Sequence, residues 1–252
     1  MSYSKMAYVY DALMQDAPYD QWENFAIKMI REYGSTVQHM ADLGCGTGEI
    51  TRRLSNKGFR MIGIDYSEDM LAYAQQSTAI AQPIQWFHQD IRELQGFHHN
   101  QLDAVISFCD VINYLTTREE IQQVFQHVNH MLKEDGLFLF DIHSLNHIEE
   151  NLKGQTFAEI YDDISYVWLC QPGENSGEVY HDLTFFVLDD QQYERFDETH
   201  HQRTFATQVY EDLLNQAGFD CLNLCYDFNC NRENKPQKSE RVFFVCKKNR
   251  GS

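Results

Sequence analysis

A glycine-rich segment, Asp42–Gly48 (DLGCGTG), carries the sharpest chemical signal in the sequence. A short apolar run ends at Leu43 and an amphipathic segment follows, so the chain is predicted to turn here from a strand into a helix. Glycines at such a turn let the backbone fold tightly and let a ligand approach the main-chain N–H groups. Asp65 ends the next predicted strand, where the ribose of a bound nucleoside would lie. The pair predicts a nucleoside site.

The residue after this turn discriminates between nucleoside ligands. A dinucleotide-binding turn reads Gly-x-Gly-x-x-Gly, and its third glycine position, counted from Gly44, is Glu49. A carboxylate at the start of the helix would repel a diphosphate. A phosphate-binding P-loop is excluded, because no Gly-Lys-Ser/Thr follows. An adenosine ligand without phosphate and with a sulfonium cation suits this acidic turn, and S-adenosylmethionine is such a ligand.

The stretch from Val37 to Ser144 resembles, in order, the class I S-adenosylmethionine-dependent methyltransferases. DLGCGTG matches one of that family's most specific motifs, GIDYSEDM resembles its ribose site, QDI resembles its adenine site, and LDAVISF resembles the strand that borders its transfer centre. The resemblance implies S-adenosylmethionine as cofactor. It also implies a cofactor-binding set of Tyr10, Asp42, Gly44, Cys45, Gly46, Asp65, Tyr66, Met70, Asp90, Ile91 and Phe108.

Within this set the resemblance implies separate roles. Asp42 would hold the methionine ammonium through water, while Gly44 and Gly46 would offer backbone contacts. Asp65 would accept from both ribose hydroxyls. The adenine would be packed, covered or hydrogen-bonded by Tyr66, Met70, Asp90 and Ile91. For Asp90 and Met70, a capping or packing role is the alternative.

Two flanking segments resemble a small bacterial methyltransferase family whose acceptor is not established. They are Tyr10–Met14 (YDALM) with Pro18–Trp22 (PYDQW), and His200–Arg203 (HHQR). Tyr10 would fold over the cofactor or, as the alternative, pack as an ordinary core aromatic residue. The resemblance therefore implies the cofactor and leaves the acceptor open.

Candidate catalytic residues follow the fourth and fifth predicted strands, because ligands of an open parallel sheet lie beyond the carboxyl ends of its strands. They are Asp110, Asn113, Tyr114 and His143. His143 could act as a general base near neutral pH, although we favour a hydrogen-bonded loop histidine. Asp110 could hold the methionine group or an acceptor cation, or else cap a turn or helix.

A polar strand face is a candidate acceptor wall. Strand periodicity puts six side chains on one face of the last inserted strand: Tyr193, Arg195, Asp197, Thr199, His201 and Arg203. A face this polar is a substrate wall or is simply solvated, and solvation is the more common case. As a wall, His201 and Arg203 would bind an acceptor that bears a carboxylate. No metal-ligand spacing is found.

The elements that must position these residues alternate between strand and helix from Val37 to Asp141. This alternation predicts an α/β fold with a doubly wound, Rossmann-like sheet. Three alternating runs between residues 160 and 204 predict an inserted antiparallel β-sheet. We expect an N-terminal helical cap (1–35), the S-adenosylmethionine-binding core (36–145), the β insertion as an acceptor lid (146–205), and a C-terminal helix with the final two core strands (206–250).

The composition narrows the class of partners. The 252 residues carry a formal net charge of −18, which argues against nucleic acid and an anionic membrane as partners. No segment reaches the ~18 apolar residues of a spanning helix, and the start lacks an apolar signal-peptide centre. Seven scattered cysteines indicate reduced thiols and a cytoplasmic location, with Cys221 and Cys225 on one strand face.

The leading hypothesis is a methyltransferase that acts on a small-molecule acceptor by in-line displacement, with an amine, carboxylate or hydroxyl as the accepting group. One alternative is a methyltransferase that acts on RNA or protein. Another is a non-catalytic module that binds S-adenosylmethionine. The sequence leaves the oligomeric state open.

Overall fold

A computed structural model describes residues 9, 17–34, 36–76, 83–189, 191–231 and 239–250. In these ranges the helices of eight or more residues are α1 (Tyr19–Tyr33), α2 (Glu49–Asn56), α3 (Glu68–Gln76), α4 (Arg118–Met131) and α5 (Thr207–Gln216). The strands are β1 (His39–Leu43), β2 (Arg60–Asp65), β3 (Gln85–His88), β4 (Leu102–Ser107), β5 (Leu132–His143), β6 (Thr156–Ile160), β7 (Ile164–Pro172), β8 (Glu178–Asp189), β9 (Gln192–Arg203), β10 (Phe219–Tyr226) and β11 (Arg241–Lys248).

The central sheet has the strand order β10-β11-β5-β4-β1-β2-β3. Strands β1 to β5 pair in parallel, and β11 pairs antiparallel with both β5 and β10. The α/β, Rossmann-like prediction is therefore confirmed, with one reversed strand. Because the parallel strands end at one edge, the residues that follow β1, β2, β4 and β5 meet there.

Both faces of the central sheet are covered by amphipathic helices. The sequence Thr117–Glu120 (TREE) has the pattern of a capping box, and the box is present at the start of α4, with Thr117 and Glu120 each accepting from the other's backbone. Helices α4 and α5 bury one apolar cluster on one face, and α1 and α2 bury a second on the other. Each helix places its apolar stripe on the sheet, as the 3.6-residue period requires.

The insertion is a sheet of its own, in the order β6-β7-β8-β9, and every pairing in it is antiparallel. The sequence predicts three strands here, and that number is wrong. Strand β6 was missed because all five of its residues are exposed, so it lacks the alternation that marks a half-buried strand. We call β6–β9 the inserted sheet.

Two expectations about cysteines are wrong. A bulge between Cys221 and Asn223 shifts the register of β10, so Cys221 packs in the cluster under α4 and Cys225 in the cluster under α1. They lie on opposite faces. Cys225 and Cys230 form a disulfide, so the cysteines are not all reduced thiols. The expected cytoplasmic location loses part of its basis.

The described helices include none that is long and apolar enough to cross a lipid bilayer.

Candidate active site

The glycine turn, Asp42–Gly48, lies at the carboxyl end of β1. Gly44, Gly46 and Gly48 have φ values of +70°, +54° and +79°, which L side chains rarely adopt. A Cβ on Gly44 would lie 2.4 Å from a methyl group of Val111, whereas a Cβ on Gly46 would have no neighbour within 4 Å. The turn is thus packed at its start and open at its centre, where a ligand can reach the backbone.

Asp65 ends β2 directly beside this turn. Its carboxylate accepts from the backbone N–H of Gly46 at 2.7 Å and of Ser67 at 2.8 Å. Burial raises its pKa above the usual value, and these two hydrogen bonds oppose the rise. The N–H groups of Gly44 and Cys45 donate to the carbonyl oxygen of Ile64. The backbone of β2 therefore already holds two amides of the turn, and Asp65 holds a third.

Asp42 is almost fully buried at the start of the turn. One of its oxygens accepts from Thr51 Oγ1 of α2 at 2.6 Å. Burial raises its pKa to about 7, so this carboxyl group is close to half ionised at neutral pH. A cation bound nearby would favour the ionised form. The role of Asp42 toward the methionine ammonium stays a prediction. The structure shows a second role, because the hydrogen bond from Thr51 to Asp42 links α2 to the end of β1.

Glu49 differs from its expected behaviour. Its two carboxylate oxygens bond Arg52 Nη2 at 2.9 Å and Arg53 Nε at 2.7 Å. The pair of arginines offsets its charge and, despite its burial, lowers its pKa. Glu49 by itself would therefore repel a diphosphate less than the sequence indicates. The ligand preference rests more on Asp42 and Asp65.

The adenine-side candidates are placed differently from one another. Tyr66 is 73% exposed beside the end of β2. Asp90 accepts from the Arg92 backbone N–H and pairs with its guanidinium at 2.6 Å, so its capping role is present. Met70 lies in α3, and Ile91 packs against the α4-side core. Their contacts with adenine stay predictions, and Tyr10 lies outside the described residues.

The turn that follows β4 faces the glycine turn. We call Phe108–Asp110 the β4 turn. Phe108 and Cys109 line a cavity of about 40 Å³ together with residues of the glycine turn, including Asp42, Gly44, Cys45 and Gly46. The predicted cofactor residues Cys45 and Phe108 are thereby brought together, and the β4 turn forms the opposite wall.

Asp110 is the centre of the acceptor side. Its Oδ1 lies 2.7 Å from Arg241 Nη2 and 3.5 Å from His143 Nε2, and its Oδ2 accepts from Gln202 Nε2 at 2.8 Å. Burial alone would raise its pKa, but His143 and Arg241 outweigh burial and lower it. Asp110 is an ionised carboxylate linked to three distant segments.

Tyr114 and Asn113 join the same region to its surroundings. The Tyr114 hydroxyl lies 3.1 Å from His200 Nδ1 on β9. The Asn113 side chain donates to the Arg203 carbonyl oxygen and accepts from the His143 backbone N–H. Asn113 thus ties the inserted sheet to the end of β5.

The role of His143 as a neutral-pH base stays a prediction, and the surroundings of its imidazole oppose it. Burial lowers its pKa to about 3, although Asp110 opposes this shift. Its imidazole is neutral at physiological pH and stacks on His147 with ring centres 5.2 Å apart. With Nε2 turned toward Asp110, the proton belongs on Nε2. The favoured interpretation, a hydrogen-bonded loop histidine, is met only in part: His143 ends β5, its Nε2 lies 3.5 Å from Asp110, and its buried Nδ1 has no hydrogen-bond partner among the described residues.

The face of β9 that meets the core is the opposite of the one expected to form the acceptor wall. On the odd-numbered face, Thr199 bonds Asp182 and His201 bonds Glu178, and residues 193, 195, 197 and 199 are exposed. The even-numbered face carries His200 and Gln202, which reach Tyr114 and Asp110. This arrangement corrects the placement of His201. Arg203 lies with its guanidinium over the Phe205 ring.

Sequence reasoning missed two residues of this network. Asp141 in β5 is fully buried, and its carboxylate accepts from the backbone N–H groups of Cys109 at 2.8 Å and Asp110 at 3.3 Å. Arg241 opens β11 and bonds Asp141 through Nη1 at 2.6 Å. The sequence held two signals for this pair: Asp141 is a carboxylate within the apolar strand β5, and Arg241 is a cation at the start of the apolar strand β11. Buried charges need partners, so each of them indicates the other.

Comparisons with known proteins agree with this geometry. A family model described as a methyltransferase domain matches residues 40–136, the stretch that holds both turns. A Bacillus subtilis (strain 168) protein named "Putative methyltransferase YqeM" is 44% identical over 251 residues, which cover 99% of this chain and 98% of that protein. A crystal structure of an S-adenosylmethionine-dependent methyltransferase from Clostridium acetobutylicum ATCC 824 has a TM-score of 0.86 at 28% identity and covers 99% of this chain and 100% of that one.

This chain belongs to the class I S-adenosylmethionine-dependent methyltransferases. The fold is shared more widely. A structure of CalS10 from Micromonospora echinaspora with S-adenosylmethionine bound has a TM-score of 0.75 at 16% identity and covers 95% of this methyltransferase and 96% of that chain.

S-adenosylmethionine is the cofactor of this methyltransferase. The residues at the glycine turn fit it. No atom lies within 4 Å of the Cβ position of Gly46, so a ligand can approach the turn there, and the acidic side chains of Asp42 and Asp65 flank the turn. In their ionised forms these two groups carry a charge opposite to that of a sulfonium. The cofactor supplies a methyl group on a cationic sulfur, activated for displacement by a nucleophile.

Proposed function

We propose that this methyltransferase acts on a small-molecule acceptor beneath the inserted sheet. The observation that carries the proposal is direct contact across the acceptor side: Gln202 donates to Asp110 at 2.8 Å, and His200 lies 3.1 Å from the Tyr114 hydroxyl. A polymer would need an open groove at this point. A small molecule needs only a local opening of the sheet.

We further propose that the accepting atom is the nitrogen of an amine. Asp110 and Asp141 share one guanidinium, Arg241, so the three groups together leave one net negative charge. His181 lies in β8 with its Nε2 3.2 Å from Gln202 Oε1. Burial lowers the pKa values of His143, His181 and His200, so these rings add no positive charge at neutral pH. An acceptor with a carboxylate or phosphate would meet repulsion here, whereas an amine would not.

The strength of the available bases also favours nitrogen over a hydroxyl. A hydroxyl must lose its proton as it reacts, which requires a base of matched strength. His143, with a pKa of about 3, is too weak for that task. An amine that has released its proton to solvent attacks through its own lone pair, which forms the new N–C bond while the C–S electron pair leaves with sulfur. Any further N–H proton then returns to solvent.

One fold neighbour is compatible with this assignment. CalS10 is named an amino pentose methyltransferase, and that description belongs to CalS10. At 16% identity it supports the fold of the present chain and the feasibility of a small amine acceptor on that fold.

The test follows the transferred methyl carbon without assuming an acceptor skeleton. The methyltransferase is incubated with carbon-13 methyl-labelled S-adenosylmethionine and a Bacillus subtilis extract, divided by ultrafiltration into small molecules and macromolecules. The carbon chemical shift distinguishes a methyl group on nitrogen from one on oxygen or sulfur. We expect labelled N-methyl product in the small-molecule fraction.

Each other outcome counts against a defined part of the proposal. Label on oxygen or sulfur of a small molecule overturns the amine and keeps the small-molecule acceptor. Label in RNA or protein alone overturns both. No transfer to either fraction, by protein that binds S-adenosylhomocysteine in calorimetry, supports a non-catalytic binding module instead.

A further inference from the structure

The β4 turn contains two successive residues in an unfavourable backbone conformation. Cys109 has φ of 60° and Asp110 has φ of 55°, both in the left-handed region. Neither is glycine, and Cβ sterics disfavour this region for other residues. Such a conformation persists only where the surroundings hold it, and it is concentrated at functional sites.

Asp141 and Arg241 supply the surroundings that hold this turn. The Asp141 carboxylate accepts from the backbone N–H groups of both strained residues. Arg241 then joins the backbone support to the side chain, because Nη1 bonds Asp141 and Nη2 bonds Asp110. The guanidinium also lies over the Trp22 ring, 5.3 Å from its centre. One planar cation therefore fixes two carboxylates in one geometry.

The held turn forms part of both halves of the site. Phe108 and Cys109 line the cavity beside the glycine turn. Val111, the next residue after the turn, packs where a Cβ of Gly44 would lie. Asp110 itself carries the contact to Gln202. A displacement of this turn would therefore move the wall of the cofactor cavity and the acceptor-side carboxylate together.

We propose that Asp141 and Arg241 are positioning residues, which hold the β4 turn against the glycine turn and thereby set the affinity for cofactor and the orientation of Asp110. The competing explanation is a buried ion pair that contributes to folding alone. The proposal concerns the cofactor wall, so its test does not depend on the identity of the acceptor.

The experiment removes the Asp141 carboxylate that supports the β4 turn and then introduces a glycine that adopts positive φ without this support. Asp141→Asn leaves one acceptor oxygen for two backbone N–H groups, and calorimetry with S-adenosylhomocysteine measures the effect on binding. We expect an affinity about tenfold lower than that of the wild type, equal to about 1.4 kcal/mol. Adding Cys109→Gly should restore most of this affinity, because glycine adopts positive φ without support.

A matched control tests whether any glycine substitution at a positive-φ position would restore the affinity for S-adenosylhomocysteine. Asp135 also has positive φ, 63°, in the register irregularity between Leu132 and Leu137, at the opposite end of β5 from His143. Asp135→Gly in the Asp141→Asn background should leave the affinity low. Rescue by both glycine substitutions, or by neither, overturns the proposal. Wild-type affinity in Asp141→Asn at a lowered melting temperature supports the purely structural explanation.

Arg241→Lys provides a second route should Asp141→Asn fold poorly. Lysine keeps the charge but cannot bridge two carboxylates with a rigid fork. We expect a severalfold loss of S-adenosylhomocysteine affinity that Cys109→Gly reverses and Asp135→Gly does not. An unchanged affinity in folded Arg241→Lys overturns the role of the guanidinium in positioning.

Discussion

The cofactor half of the site, built on the glycine turn and Asp65, and the acceptor half, built on the β4 turn and the inserted sheet, are assembled in different ways. In the cofactor half, Gly46 bonds Asp65 across 19 residues of sequence and Thr51 bonds Asp42 across 9. In the acceptor half, Asp110 bonds Gln202 across 92 residues and Asp141 bonds Arg241 across 100. The first half depends on local backbone geometry and the second on side chains that the fold brings together.

This difference determines how each half tolerates change. A turn held by backbone conformation fails when a Cβ is added or its one bridging carboxylate is removed. In the acceptor half the contacts of β9 are shared among several side chains, so the loss of the partly buried His200 leaves the bond of Gln202 to Asp110 in place. Substitutions in the cofactor half should therefore have larger effects, and four measurements test this expectation.

The largest effect is expected at Asp65. Asp65→Ala removes the acceptor of the Gly46 N–H and the predicted partner of two ribose hydroxyls. Loss of two hydrogen bonds to a charged group, at about 1.5 kcal/mol each, corresponds to a roughly 100-fold weaker affinity for S-adenosylhomocysteine. Glu68→Ala, at the exposed start of α3, is the control in the same titration. Equal affinities for the two variants would contradict the ribose role.

The next effect is a difference in stability between two glycines. Gly44→Ala would bring a methyl group to 2.4 Å from Val111, while Gly154→Ala, at φ of +74°, meets no atom within 4 Å. The two positions have nearly the same positive φ, so the difference between the two variants isolates the clash. We expect Gly44→Ala to lower the free energy of unfolding by about 2 kcal/mol more than Gly154→Ala in urea. Equal losses would mean that the two halves are not packed together at Gly44.

The pH dependence of cofactor binding gives a smaller effect. The free protein has an Asp42 pKa of about 7. S-adenosylhomocysteine lacks the sulfonium but keeps the ammonium group that Asp42 is predicted to hold. A preference of this ammonium for the ionised carboxylate means that binding releases a proton below this pKa, so affinity rises as pH rises through it. Calorimetry with S-adenosylhomocysteine should show a gain of up to about tenfold between about pH 6 and about pH 8. Asp42→Asn should flatten the profile, and an unchanged slope would assign it to another group.

The smallest effect is expected in the acceptor half. His200→Ala removes one contact to Tyr114, while the bond of Gln202 to Asp110 remains. With a hydrogen bond worth about 1 kcal/mol, formation of labelled methyl product should fall about fivefold. Thr199→Ala changes a residue on the exposed face of the same strand and serves as the control. A larger loss in Thr199→Ala would return the acceptor wall to the odd-numbered face.

The same contrast explains which features could be predicted. The glycine turn, the capping box at Thr117 and the alternation of strands and helices are local patterns, and the fold class inferred from them is confirmed. The sequence places Asp65 beside the turn because both follow neighbouring parallel strands. Tyr66, Met70 and Asp90 lie near the ends of their elements as expected, and their roles await a ligand-bound measurement.

The acceptor half was beyond local patterns for physical reasons. Alternation along β9 separates two faces but does not say which one meets the core, because His200 and Gln202 are as polar as His201 and Arg203. The bulge at Cys221–Asn223 reverses a strand face without any apolar gap in the sequence. Arg241 and Asp141 belong to strands whose antiparallel pairing is visible only after folding.

The inserted sheet leaves the core at one place and returns to it at nearly the same place. Thr204 Oγ1 donates to the His143 carbonyl oxygen at 2.7 Å, and the Thr204 N–H donates to Gly177. The chain between them is therefore a closed excursion from the β5 end, and its length is not constrained by the central strands. Replacing the segment between His143 and Thr204 with the corresponding segment of a relative should yield a hybrid protein that folds and still binds the nucleoside cofactor. The hybrid should differ in the molecules that it alkylates.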